Sequence, residues 1–146
     1  MSFVKIWVHL VFSTKNREPL LTREIRHDVC KHIMKNCEEK GIYLRAINGY
    51  TDHLHCLLSL RNDQTIAKVS QLLKGESSFW INKSNLMPDN FSWQDDYFAV
   101  SVSESQVKKL PIKLRIRKNT TQKPHSQKKL ISLFQGMDGK QFKIER

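Results

Sequence analysis

The stretch Ile42-Tyr43-Leu44-Arg45-Ala46-Ile47-Asn48-Gly49-Tyr50-Thr51-Asp52-His53-Leu54-His55-Cys56-Leu57-Leu58-Ser59-Leu60 places two short apolar-rich runs on either side of four turn-forming residues. Residues 42–48 and 53–60 read as strands, and Gly49-Tyr50-Thr51-Asp52 reads as the hairpin connection between them. Residues two apart on a strand point to the same face, so His53 and His55 project together. Two neutral imidazoles side by side can hold one divalent ion. The same dipeptide also suits a pair of ordinary strand histidines, and only its surroundings separate the two readings.

Working outward, residues 4–12 read as a strand in which Ile6, Val8, Leu10 and Phe12 alternate with Trp7, His9 and Val11. Apolar residues on both faces imply a largely buried position. A polar loop over 13–21 carries Lys15, Asn16 and Arg17. Thr22 then reads as an N-cap, and Ile25, Val29, Ile33, Met34 and Cys37 continue at helical spacing to Gly41, a C-cap. Beyond the hairpin, Ile66, Val69, Leu72 and Leu73, then Phe79 and Trp80 after Gly75, form a second helical stripe. A loop over 82–90 contains Pro88, residues 97–102 alternate as a fourth strand, and Ser103 caps a helix starting around Glu104 and Gln106. The order is βαββαβ, which predicts an α+β, ferredoxin-like fold. It has one antiparallel four-stranded sheet with both helices on one face, plus a C-terminal helix. That fold serves many functions and decides none.

The 146 residues are the length of one domain, and 39% apolar content with 9% aromatics is enough for a packed core. The net charge of +11 makes a polyanion the first partner to consider. Its distribution is uneven: residues 1–107 hold 13 Lys and Arg against 12 Asp and Glu, whereas 108–146 hold 12 against 2. No apolar run reaches the roughly 18 residues needed to span a bilayer, and the N-terminus lacks the layout of a signal peptide. The expected location is cytoplasmic, with no membrane partner. Cys30, Cys37 and Cys56 are odd in number and lack a CxxC spacing, so they are expected to be reduced and packed.

Residues 52–60, Asp-His-Leu-His-Cys-Leu-Leu-Ser-Leu, closely resemble the HUH motif of the single-tyrosine insertion-sequence transposases and their REP-associated relatives. Val8-His9-Leu10-Val11-Phe12-Ser13-Thr14-Lys15 resembles that family's first strand and loop. Leu72-Leu73-Lys74-Gly75 with Ser77-Ser78 resembles its second helix, and Trp93, Tyr97-Phe98-Ala99-Val100 and residues 101–107 its fourth strand and entry to the last helix. The resemblance covers about residues 3–110. It implies a metal-dependent DNA strand transferase in which two histidines and a glutamine hold Mg or Mn against the scissile phosphate. A tyrosine of the last helix attacks, forming a 5′-phosphotyrosine link to single-stranded DNA. The resemblance further implies a homodimer that recognises hairpins at the element's ends, with His53 and His55 as metal ligands.

The tail departs from that pattern. The family's tyrosine falls near Lys113, and the glutamine four residues later, on the same helical face, falls at Arg117. No tyrosine follows Tyr97. Residues 113–127 also read poorly as a helix, with Thr120, Thr121 and Pro124. Read one base earlier than each present codon, 113–127 can encode Ile-Lys-Asn-Gln-Lys-Glu-His-His-Thr-Lys-Thr-Thr-Phe-Thr, which resembles the family immediately after its tyrosine. The chain is therefore expected to divide into a core, 1–110, and a divergent basic segment, 111–146, arising from a shifted frame. Such a product keeps the fold and the histidine pair but loses covalent cleavage, so no catalytic residue is assigned.

Lys15, Arg17, Lys74 and Lys83 are candidate DNA phosphate contacts, against the alternative of ordinary solvated charges. Tyr97 and Tyr50 are expected to pack or lie at the surface rather than act as nucleophiles, and His9 to be a sheet or core histidine, against the alternative that it lines the site. His125 has no case as a ligand, and Trp7, Phe12, Phe79 and Trp80 are expected in the core. Two other functions stay open: a non-catalytic, RRM-like binder of single-stranded nucleic acid, which needs exposed aromatics on the central strands, and an inert remnant.

Overall fold

The computed structural model describes residues 2–109. The elements run β1 (Ile6–Ser13), α1 (Arg23–Glu39), β2 (Tyr43–Gly49), β3 (His53–Leu60), α2 (Ile66–Lys83), β4 (Phe98–Val102) and α3 (Glu104–Lys109). The strands form one antiparallel sheet in the order β2-β3-β1-β4, so each βαβ unit crosses over one intervening strand, as the ferredoxin-like reading requires.

Register explains why β1 lies at the centre. Val8 pairs with Leu58, Leu10 with Cys56 and Phe12 with Leu54, and these six side chains form one apolar face. Val29, Cys30, Ile33 and Cys37 of α1 and Val69, Leu73 and Ile81 of α2 pack in the same cluster, so both helices cover that face. The remaining positions of β1 point to the opposite face, and Trp7, His9 and Val11 are buried there as well. The two-sided burial expected of β1 is observed. Cys30, Cys37 and Cys56 are free and buried. Burial pushes the Cys30 and Cys37 thiols up to about 12 and raises the Cys56 thiol well above its ordinary value.

The ends are set locally. Thr22 occupies the N-cap of α1 through its backbone, its carbonyl accepting from Arg26 N at 2.8 Å, without a side-chain cap. Gly41 follows α1 with φ +68°, a conformation that suits glycine. The Thr65 side chain caps α2 by accepting from Lys68 N. β2 runs one residue further than expected, to Gly49, because Gly49 pairs with Leu54 at the turn. A Cβ at Gly49 would lie 2.2 Å from the His53 carbonyl oxygen, so no other residue fits that close approach.

One core expectation needs correction. Phe79 is 63% exposed, because it lies on the side of α2 turned from the sheet, with Lys83 Nζ 5.9 Å from its ring centroid. Trp80 is half-buried and stacks on His32, which pairs with Glu76 at 3.0 Å. Phe12 and Trp7 are buried as expected.

Candidate functional site

His53 and His55 lie at the start of β3, on the face of the sheet opposite the two helices, with ring centroids 4.8 Å apart. Each ring is held by a different neighbour through Nδ1. His53 Nδ1 lies 2.6 Å from Asp52 Oδ1. His55 Nδ1 lies 2.8 Å from Nε2 of His9, and these two rings stack with centroids 5.1 Å apart.

The turn that presents the pair is fixed to the loop after β1. The Asp52 carbonyl accepts from Thr14 N at 2.8 Å and from the Thr14 hydroxyl at 3.3 Å, and the Thr51 carbonyl accepts from Leu21 N at 2.8 Å. Arg17 Nε lies 3.3 Å from Asp52 Oδ2. Asn16 and Arg17 both have positive φ, 57° and 53°, and the loop is secured by Lys15 N donating to Ser92 O and Asn16 N to Gln94 Oε1.

Burial acts alike on the two stacked rings, His9 and His55. Burial lowers the pKa of His9 to about 4 and that of His55 to about 3, with His53 and His9 adding repulsion at His55. Both are therefore neutral at physiological pH, the form in which imidazole binds metal. Among the described residues, no group of three or more His, Cys, Asp or Glu could hold a metal ion.

His9 is both the buried sheet histidine expected and a neighbour of the pair, as the alternative reading had it. It is only 2% exposed and yet hydrogen-bonded to His55. Asp52, to which the sequence assigns no role, also joins the site, and its only signal there is its position next to His53 at the turn. Lys15 and Arg17 stand in the loop at the histidine end of the sheet, whereas Lys74 and Lys83 stand on α2, in the layer over the other face. Lys74 Nζ donates to the Asp95 carbonyl and lies 6.0 Å from the Tyr97 ring, and burial lowers its pKa. Tyr50 is 55% exposed, with its ring centroid 6.4 Å from that of His53. Lys113, Arg117 and His125, like the expected segment boundary at 110, lie outside the described residues.

Residues 2–111 match the family model described as "Transposase IS200 like". The chain belongs to the IS200-like transposase family. Among solved structures, it is similar to a candidate transposase from Deinococcus radiodurans R1, with 23% identity and a TM-score of 0.65 over 73% of this chain and 88% of that one. It is also similar to a REP-associated tyrosine transposase bound to a REP hairpin, with 15% identity and a TM-score of 0.53 over 74% of this chain and 62% of that one. At these identities the likeness is one of fold. No curated protein matches the chain. The IS200-like match takes in the whole described fold, including His9, Asp52, His53 and His55, and ends before Lys113. Among the described residues, no helix is long and apolar enough to cross a membrane.

Proposed function

We propose that this IS200-like chain is, by descent, a cytoplasmic, homodimeric strand transferase acting on single-stranded DNA with hairpin ends. In this reading His53 and His55 hold a Mg or Mn ion, and this product binds its DNA without cleaving it covalently. One observation carries the metal assignment: two imidazoles stand together with both Nδ1 atoms engaged by neighbours, which directs metal binding to the two Nε2 atoms.

The residues present fit two positions of a coordination sphere. For His55 to offer Nε2, its Nδ1 donates to His9 Nε2; a carboxylate can only accept, so His53 Nδ1 donates to Asp52. When bound, a divalent ion polarises the scissile phosphate and stabilises developing charge. The chain's own part is to orient the two imidazoles and to offer Lys15 and Arg17 near them for phosphate contacts, with Lys74 and Lys83 the other candidate contacts. Covalent cleavage needs a tyrosine on the last helix and a third ligand four residues later. Lys113 and Arg117 stand at those positions, and neither can do that chemistry.

The test is incubation of the full chain with a labelled single-stranded end bearing a family-type hairpin, plus Mn. Retention of the label without a denaturation-resistant adduct is expected. An adduct would overturn the loss of cleavage, and Tyr50→Phe would then show whether the tyrosine beside His53 forms it. Sequencing the coding DNA around codon 113 tests the shifted frame directly: the reading fails if the alternative frame does not encode Ile-Lys-Asn-Gln after the lesion.

A second reading, the non-catalytic, RRM-like binder, is favoured by one feature of the histidine-bearing face. Tyr43, 56% exposed on the edge strand β2, meets the buried Trp7 of β1 edge to face at 5.8 Å, and its open ring is one on which an unpaired base can stack, although it stands outside the two central strands. Replacing both His53 and His55 by Ala separates the readings, since a pure binder keeps its metal-free affinity.

A further inference from the structure

We infer that Asp52 is a positioning residue for His53, and Arg17 for Asp52, so that the loop after β1 decides which imidazole nitrogen of His53 faces a bound ion. This rests on the metal-site reading above. It changes the expectation for Arg17 from a phosphate contact alone to a residue that acts through the carboxylate beside it.

The chain of contacts is continuous. Arg17 Nε lies 3.3 Å from Asp52 Oδ2, and Asp52 Oδ1 lies 2.6 Å from His53 Nδ1. A neutral imidazole carries one proton, so a proton on Nδ1 leaves the lone pair on Nε2. A histidine left to itself in water favours the opposite tautomer, with the proton on Nε2 and no lone pair there for a metal. Asp52 reverses that preference.

The carboxylate can do so because it cannot drift. The Asp52 backbone is fixed to the buried Thr14 by two hydrogen bonds, and its second oxygen is occupied by Arg17. The loop that supplies Arg17 holds two successive non-glycine residues in the left-handed region. Such conformations cost about 1–3 kcal/mol each and persist only where the surroundings over-determine them. Here the surroundings are Ser92, Gln94 and Thr14, which bind the backbone of Lys15, Asn16 and Arg17. A loop needed only to carry solvated cations would not require this conformation.

The experiment uses the full chain and two readouts, neither of them catalytic. The first is the long-range proton–nitrogen correlation of the His53 ring in alkaline, chelator-treated buffer, which reports the tautomer. The second is a Mn titration followed by electron paramagnetic resonance. The native chain is expected to show the Nδ1–H tautomer at His53. Asp52→Ala should convert it to Nε2–H and weaken Mn binding about tenfold or more, as loss of an outer-shell carboxylate does. Asp52→Asn should fold, keep the tautomer through its amide oxygen, and weaken Mn binding less. Arg17→Ala should weaken Mn binding about threefold, the scale of a half-exposed ion pair, while Lys35→Ala, on the exposed side of α1, leaves it unchanged. Mn binding by the native chain that is indifferent to Asp52→Ala and Asp52→Asn, or an Nε2–H tautomer in the native chain, overturns the positioning role. Equal responses to Arg17→Ala and Lys35→Ala overturn the Arg17 part. A native chain that shows the Nδ1–H tautomer but binds no Mn overturns the metal-site reading itself.

Discussion

His53 and His55 are separated by one residue, yet they are held by different physics. His53 sits at the rim, its side chain 18% exposed, against a carboxylate that is itself matched by a guanidinium. His55 sits inward against a second imidazole on the neighbouring strand, and both rings of that pair are depressed by burial. The rim arrangement uses charge and is sensitive to solvent, so changes there should alter binding more than folding. The inner arrangement uses burial, so changes there should alter both. Two histidines of one face can therefore be mutated with separable consequences.

The largest effect should come from the residue that serves both. Leu54 lies between the two histidines, is fully buried, and packs on the helix side of the sheet. Leu54→Ala should cost about 3 kcal/mol in chemical denaturation and disturb both rings; retention of native stability would show that β3 is not anchored by its helix-facing side.

His9→Ala comes next. It removes a fully enclosed ring and the partner of His55, so a loss of about 2 kcal/mol is expected, together with weakened Mn binding. Asp52→Asn should change stability far less. If the two variants destabilise the chain equally, the division between inner and rim histidine is wrong.

Acidity should act on the inner pair. The folded values of His9 and His55 are depressed, to about 4 and about 3, from an ordinary value near 6.5, so the unfolded chain takes up protons before the native chain does. The contribution to stability is therefore complete above about 6.5 and is lost as pH falls toward 4 and then 3. Denaturation midpoints measured across that range should fall with acidification, and His9→Gln should flatten the fall. An unchanged slope would place the acid sensitivity elsewhere. The smallest effect belongs to Arg17→Ala, which should lower stability by less than about 1 kcal/mol because the pair is half exposed.

Much of this was legible in the chain itself, for reasons that differ by element. β3 begins and ends at His53 and Leu60 as its alternation indicates, and the βαββαβ order follows from the spacing of Gly41, Gly49 and the two helical stripes. The histidine pair was visible because residues two apart on a strand share a face. His9 stood there only as an alternative, because its meeting with His55 depends on the pairing of Val11 with His55 across two strands, a register that periodicity does not specify. The Arg17–Asp52 contact escaped for a similar reason: it needs the left-handed turn at Asn16 and Arg17, and neither residue type requires that conformation. Phe79 was misplaced because the buried face of α2 runs on in phase from Leu73 through the polar Ser77 to Ile81, a step that an apolar stripe does not reveal, and Phe79 lies off it.

The three enclosed thiols give the molecule an internal clock. A thiol held at about 12 and shielded from solvent does not react with an alkylating reagent until the structure around it opens. Cys30 and Cys37 time the lifting of α1, while Cys56, immediately after His55 on β3, times the opening of the strand that presents the histidines. Comparing their labelling rates with and without a single-stranded hairpin would show whether ligand engagement tightens the site strand alone or the helix layer behind it.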